Sequence, residues 1–205
     1  MKFSIKKYVY ITEENVDVSF LPPMSRRKLS LLDKIALCAM QKCYDSSQVK
    51  MVLASQYGEL DRLRKLVEQY SQENEVSPAT FSFSVHNSAV GQFSLLHKIK
   101  ESYNSVSAEK DTFSAGLIEA LMTSTSDEVL FCCCDSEKVC EGFSCLISTK
   151  DLSKAVFEWN ILKNSERLFF ETTDSERFFS FLEGEDKRFV TSDGLFEIKN
   201  IGEQQ

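Results

Sequence analysis

The chain contains only two histidines, three prolines and seven glycines in 205 residues, and each shortage excludes something. So few glycines leave no Gly-rich phosphate loop and no Gly-x-Ser-x-Gly nucleophile elbow. With two histidines, and with cysteines at 38 and 43 or 140 and 145 whose spacings match no zinc module, no metal-ligand pattern is legible. Positive charge is short as well. Lysine and arginine number 24 against 31 acidic residues, giving a net charge of −7 and a pI near 5.0, the wrong sign for gripping a nucleic-acid backbone. The longest apolar runs, residues 35–40 and 129–134, fall far below the roughly 20 residues a bilayer-spanning helix needs. No export signal is visible either: Lys6 and Lys7 lead into Tyr8, Val9, Tyr10 and Ile11, but Glu13 and Glu14 cut that run off. The expectation is a cytoplasmic protein with no membrane span. Seven cysteines, an odd number with three of them adjacent at 132–134 in an apolar run, fit a reducing compartment where thiols act as small core hydrophobes.

What is present points to a packed globule. Hydrophobic residues make up 42 % of the chain and 16 of them are phenylalanine. A chain of this length buries roughly 70 % of its unfolded surface, enough for one core. One domain over residues 1–205 is expected, with 166–205 as a C-terminal extension of plainer character.

Periodicity divides the chain into strands and helices. Residues 8–11 suit a short strand. After Pro22 and Pro23, Leu29, Leu32, Ile35, Ala36, Ala39 and Cys43 recur at helical spacing and predict one helix over 25–43. Residues 49–54 form an apolar strand, and Gly58 opens a second amphipathic helix with Leu60, Leu63, Leu66, Val67 and Tyr70. Residues 81–96 have few charges and predict a buried helix, 102–108 an extended segment, and 111–122 a helix. Residues 129–134 are apolar throughout, the mark of a strand covered on both faces. Residues 143–147 and 155–162 read as a pair of strands, the second with Phe157, Trp159 and Ile161 inward. Thr173 and Glu176 form a capping-box pattern before a short helix, and Ser192-Asp193-Gly194 marks a hairpin turn. The fold class is α/β: a layered mixed β-sheet finishing antiparallel, with a buried helix and helices on the outer face.

His86 beside Asn87 could serve as an acid–base group, but no nucleophile stands near it in sequence, and a hydrogen-bonded structural role is the simpler reading. One of the seven cysteines working with His86 would make a thiol-dependent acyltransferase or thioesterase. Arg26, Arg27 and Lys28 could meet an acidic partner, although a short basic run at a helix start is commonly a solvated face.

Several segments carry a resemblance. They are the entry Pro23-Met24-Ser25-Arg26-Arg27-Lys28-Leu29-Ser30, the strand and turn Met51-Val52-Leu53-Ala54-Ser55-Gln56-Tyr57-Gly58-Glu59-Leu60, and the stretch from Ser77-Pro78 through Phe83-Ser84-Val85-His86-Asn87-Ser88 to Gly91-Gln92-Phe93. The last is Ser105-Val106-Ser107-Ala108-Glu109-Lys110-Asp111-Thr112. Over about residues 1–165 the chain resembles the N-terminal half of the thiolase-like ketosynthases, and especially the short ketosynthase-like proteins found beside aryl-polyene-type synthases. The resemblance implies a thiolase-like half-fold without a cofactor. Its nucleophile turn, which carries a cysteine in active members, falls here on Lys110, flanked by Glu109 and Asp111. An amine at that position cannot hold the growing acyl group as a thioester. Active members are also similar in drawing acid–base histidines from a second half, and no histidine follows His97 here. The resemblance thus implies a non-catalytic, chain-length-factor-like subunit that pairs with an active β-ketoacyl synthase and meets acyl carrier protein through that complex. By the same resemblance Phe83, His86, Asn87, Val90, Phe93, Asn104, Ser105, Val106 and Ser107 would meet the partner, and Tyr57, Leu60 and Leu63 would supply the bulk that limits acyl length.

Overall fold

A computed structural model describes residues 1–45, 48–124, 128–135, 140–153, 155–162 and 166–202. Among them an eight-stranded sheet runs β3-β2-β4-β5-β1-β6-β8-β7. Its strands are β1 (Lys2–Thr12), β2 (Lys50–Ala54), β3 (Tyr103–Val106), β4 (Val129–Asp135), β5 (Glu141–Ser148), β6 (Val156–Ile161), β7 (Arg188–Val190) and β8 (Phe196–Gly202). Only β2, which pairs with β3 and with β4, makes parallel neighbours; the remaining pairs are antiparallel. The mixed sheet follows the sequence expectation.

Both faces of the sheet centre are covered, which explains why its strands read as unbroken apolar runs. Along β2, Met51 and Leu53 point to one face while Val52 and Ala54 point to the other. Along β4, Leu130, Cys132 and Cys134 oppose Val129, Phe131 and Cys133. Helices α2 (Leu31–Cys43) and α5 (Ser88–His97) close the first face through Ile35, Met40, Val90 and Phe93. Helices α6 (Thr112–Thr123) and α7 (Asp174–Leu182) close the second, where Phe113, Phe131, Phe143, Phe178 and Phe189 form an edge-to-face ring cluster. Gly116 lets α6 approach the sheet, because a Cβ there would collide with Ala54 Cβ and come within 3.0 Å of the Phe131 ring.

Several sequence expectations shift in detail. The helix expected over 25–43 is two pieces, the single turn α1 (Pro23–Arg26) and then α2, because the Ser30 hydroxyl accepts from Asp33 N at 2.9 Å and caps a fresh start. The buried helix expected over 81–96 is likewise divided into α4 (Pro78–Phe81), a turn and α5. The Ser82 and Ser84 hydroxyls donate to the Ala79 and Phe81 carbonyls, serving the turn rather than a helix interior. Phe81, Val85, Leu95 and Leu96 are exposed, so only Ser88, Ala89, Val90 and Phe93 make a buried face. Strand β1 extends well beyond 8–11 because β5 pairs along it, with a bulge between Ile5 and Lys7. The two strands read as a pair, β5 and β6, have β1 between them; Phe157 is buried but Ile161 runs out into solvent.

The last segment joins the same sheet. Thr173 caps α7, accepting from Glu176 N at 3.2 Å, and Gly194 (φ 71) closes the hairpin between β7 and β8. The remaining helix, α3 (Leu60–Glu73), behaves differently: Leu66 is its one buried residue.

Candidate functional site

Strand β3 ends at Val106, and the chain then makes a single 3₁₀ turn, Glu109–Asp111, before α6. Glu109 sits in the left-handed region at φ 49, uncommon for a residue other than glycine and a mark of a turn held by its surroundings. The Thr112 hydroxyl holds it, donating to Glu109 O at 2.6 Å and accepting from Ala108 N at 3.0 Å. Lys110 stands at the apex, exposed, on the rim of a cavity of about 530 Å³. Tyr57, Phe113, Cys133, Asp135 and Glu141 line that cavity, and residues 167–173 lie across it as a strap.

The strap is fastened at both ends. Arg167 pairs with Asp111 at 2.7 Å beside the Lys110 turn, and Leu168 N donates to Ser192 O at 2.9 Å. Thr173 donates to Glu141, which also accepts from Tyr10. Arg177 lies 3.2 Å over the Phe170 ring and donates to Val190 O at 2.8 Å, tying strap, α7 and β7 together. Phe169 projects from the strap and is 88 % exposed.

Among the described residues no exposed thiol stands at this turn. All seven cysteines are free and buried. Burial pushes the thiols of Cys43 and Cys140 up to about 12, and holds those of Cys133 and Cys145 well above the ordinary range. Cys134 is raised as well, first by its hydrogen bond with Cys132 and then by burial. A thiol so placed is a poor nucleophile. Neither histidine lines the cavity. His97 Nε2 meets Gln41 Oε1 at 2.8 Å and its ring packs on Tyr44 and Phe93, with burial lowering its pKa. His86 Nε2 donates to Ser55 O at 2.7 Å, which leaves Nδ1 to accept from the Ser105 hydroxyl at 2.6 Å in the neutral ring. Among the described residues no group of three or more His, Cys, Asp or Glu is placed to hold a metal ion. None of their helices is long and apolar enough to cross a membrane.

The residues expected to meet a partner divide. Asn104 and Ser105 are exposed and Val106 half-buried on β3, with exposed Ser107 just after it; among the described residues no strand pairs with the outer edge of β3. His86 and Asn87 are half-buried next to that edge. Val90 and Phe93 are instead taken up by the chain's own core, Phe93 standing edge-on to Tyr44, and Phe83 packs partly on that core beneath Arg62. Of the residues expected to gate acyl length, Tyr57 lines the cavity, Leu60 is half-buried and Leu63 is 43 % exposed. Leu63 belongs to an apolar stripe on α3 with Val67 and Tyr70, 61 % and 56 % exposed. Arg27 and Lys28 are exposed and Arg26 half-buried, and the Lys28 carbonyl accepts from both Arg62 terminal nitrogens at 3.1 Å.

Sequence reading did not single out two acids, the half-buried Asp135 and the buried Asp33. Asp135 ends β4 and accepts from Ser55 Oγ (2.9 Å), Gln56 N (2.9 Å) and Tyr57 N (3.1 Å); burial still raises its pKa against those donors. The signal for it was an acid directly after an unbroken apolar strand. Asp33 on α2 is wholly buried. Its carboxyl is pushed up to about 7, mainly by burial and then by Glu59, while Arg62 at 3.7 Å pulls the other way. The Ser88 side chain and the Ser30 backbone also favour the charged form, though among the described residues neither Asp33 oxygen has a partner at full hydrogen-bond geometry. Glu59 takes the better share of Arg62, at 2.9 Å, and accepts from Ser30.

An eight-stranded mixed sheet with helices on both faces, in which a strand and a 3₁₀ turn lead into a buried helix, is a thiolase-like fold. The family described as beta-ketoacyl synthase, N-terminal domain, matches residues 3–175, and the chain belongs to it. No curated protein matches the chain. Among solved structures it is similar to a chain in the complex of the ketosynthase ApeO with its chain length factor ApeC from Xenorhabdus doucetiae. The TM-score is 0.79 and the identity 23 %, over 98 % of this chain and 100 % of that one. It is also similar to the ishigamide ketosynthase/chain length factor (TM-score 0.56, 16 % identity, 72 % of this chain, 53 % of that one). A third is the AntDE:AntF assembly, a type II polyketide synthase acyl-carrier protein in complex with its ketosynthase bound to the hexaketide (TM-score 0.57, 10 % identity, 72 % and 58 %). This chain thus spans the whole of the first and little more than half of the other two.

Proposed function

We propose that this chain is a non-catalytic, chain-length-factor-like subunit that pairs with an active β-ketoacyl synthase of a type II, aryl-polyene-type or fatty-acid pathway in the cytoplasm. Acyl carrier protein meets the pair rather than this chain alone. The single observation that carries the reading is Lys110 at the apex of the turn before α6, where a condensing enzyme needs a sulfur. The full-length similarity to a chain of a ketosynthase–chain length factor complex supports it.

The surface supports pairing. An edge strand with an unpaired side invites a strand from another chain. Helix α3 buries only Leu66 while exposing Leu63, Val67 and Tyr70 on one stripe, so among the described residues most of its apolar face is left uncovered. In this reading Asn104, Ser105, Val106 and Ser107 add to the partner's sheet, with Phe83, His86 and Asn87 beside them, and Tyr57, Leu60 and Leu63 set the room left for the acyl chain.

Co-expression with the ketosynthase encoded beside it should give a one-to-one complex that elutes as a single species; two separate proteins would count against pairing. Incubation with loaded acyl carrier protein should leave this chain unmodified by intact mass, and a covalently acylated form would overturn the non-catalytic reading.

A further inference from the structure

Between β2 and α3 the chain turns through residues 55–58, and this turn is the joint between the open edge strand and the cavity. Gly58, at φ 53, closes it so tightly that a Cβ there would come within 2.8 Å of His86 Cδ2. From the cavity side Asp135 binds the Ser55 hydroxyl and the backbone N–H groups of Gln56 and Tyr57. From the edge side His86 donates to Ser55 O and hydrogen-bonds the Ser105 hydroxyl, and the Ser107 hydroxyl donates to Gln56 O at 3.0 Å. Ser55 joins the two sides, its hydroxyl donating to Asp135 while accepting from Gly58 N at 2.9 Å. Tyr57 sits at the centre: Asp135 holds its N–H, its ring lines the cavity, and its hydroxyl accepts from Gln56 Nε2 at 2.9 Å. Asp135 is half-buried, and the three donors that offset the cost of drawing its carboxylate out of water all come from this one turn.

We propose that Asp135 and His86 are positioning residues for Tyr57: they fix the 55–58 turn between edge strand and cavity, and so set how much of the cavity the tyrosine fills. This rests on the reading of Tyr57 as a limit on acyl length.

The experiment uses the complex of this chain with the ketosynthase encoded beside it and reads the product-length distribution, with elution of the intact complex as the control for folding. Asp135→Ala should shift products longer, in the same direction as Tyr57→Ala. Asp135→Asn, which keeps one oxygen as acceptor for Ser55 and Tyr57 but sets an amide NH2 against Gln56 N–H, should fall between the parent and Asp135→Ala, and the double variant Tyr57→Ala/Asp135→Ala should match Tyr57→Ala within about twofold, as residues acting through one another do. Should Asp135→Ala not assemble, Ser55→Ala removes one donor of the same clamp and is expected to give the same shift. If Tyr57→Ala lengthens products while Asp135→Ala and Ser55→Ala leave them unchanged, or if the double variant adds the two effects, the positioning role is overturned and the gate stands. A silent Tyr57→Ala overturns the gate instead. Hydrogen exchange on the chain alone then decides the clamp: Asp135→Ala should speed exchange at the Gln56 and Tyr57 amides, and unchanged rates overturn it.

Discussion

The Ser114 hydroxyl, on the first turn of α6, donates to the Asp193 carboxylate at the tip of the β7–β8 hairpin, 2.7 Å away. The two residues are 79 positions apart, and their contact lays the last hairpin against the helix that follows the Lys110 turn. With the Arg167–Asp111 pair and the Thr173–Glu141 hydrogen bond, it makes the C-terminal segment a cover for the α6 face of the sheet.

Asp33 makes stability depend on pH. Its carboxyl is raised in the fold, to about 7 from an ordinary 3.8, so the folded chain binds a proton more tightly than the unfolded one. Stability from this group is full below about pH 4, falls as pH rises toward 7, and stays low above it; the linkage ceiling is about 4 kcal/mol. Asp33→Asn removes the charge but also the attraction to Arg62, so it should gain about 1–2 kcal/mol at pH 8 and nothing at pH 4. Denaturant unfolding at the two pH values measures this, and an equal effect at both would refute the assignment.

The thiols should be inert while the chain is folded. With every cysteine buried, iodoacetamide at pH 8 should label the native protein only as fast as it opens, and label all seven once it is denatured. Mass spectrometry counts the adducts. A single cysteine labelled within minutes in the native state would revive the thiol-enzyme alternative.

Gly116→Ala should destabilise the chain by about 1–3 kcal/mol, because the added Cβ meets Ala54 and the Phe131 ring, both backed by packed sheet. Its midpoint in urea should fall with the slope unchanged. A midpoint equal to the parent's would mean that α6 lies farther from β2 and β4 than described.

Val67→Asp separates stability from pairing. The residue is exposed on α3, so the isolated chain should unfold within about 0.5 kcal/mol of the parent. The complex with the ketosynthase should weaken by tenfold or more, about 1.4 kcal/mol, since a carboxylate would be buried against an apolar surface. An unchanged complex would remove the α3 stripe from the interface.

Much of the architecture was legible from short-range signals. The run at 129–134 is a strand covered on both faces, the Thr173 and Glu176 pattern opens α7, and Ser192-Asp193-Gly194 turns the last hairpin. The readings that moved did so where local chemistry cut across periodicity: Ser30 caps a helix inside an apolar pattern, and Ser82 and Ser84 favour turns. The turn that carries Lys110 was legible as the break between an extended segment and a helix. Asp135 was not, because its role depends on donors from positions 55–57, far away in the chain.

Sequence by itself determined the alternation of strands and helices and most of their positions, since periodicity, caps and residue identity act over a few positions. Only the tertiary structure decided that β1 lies between β5 and β6, that Val90 and Phe93 belong to the core, and that Asp33 is buried 3.7 Å from Arg62. Strand neighbours and the cost of burying a charge are set by contacts between distant segments, which no local pattern encodes.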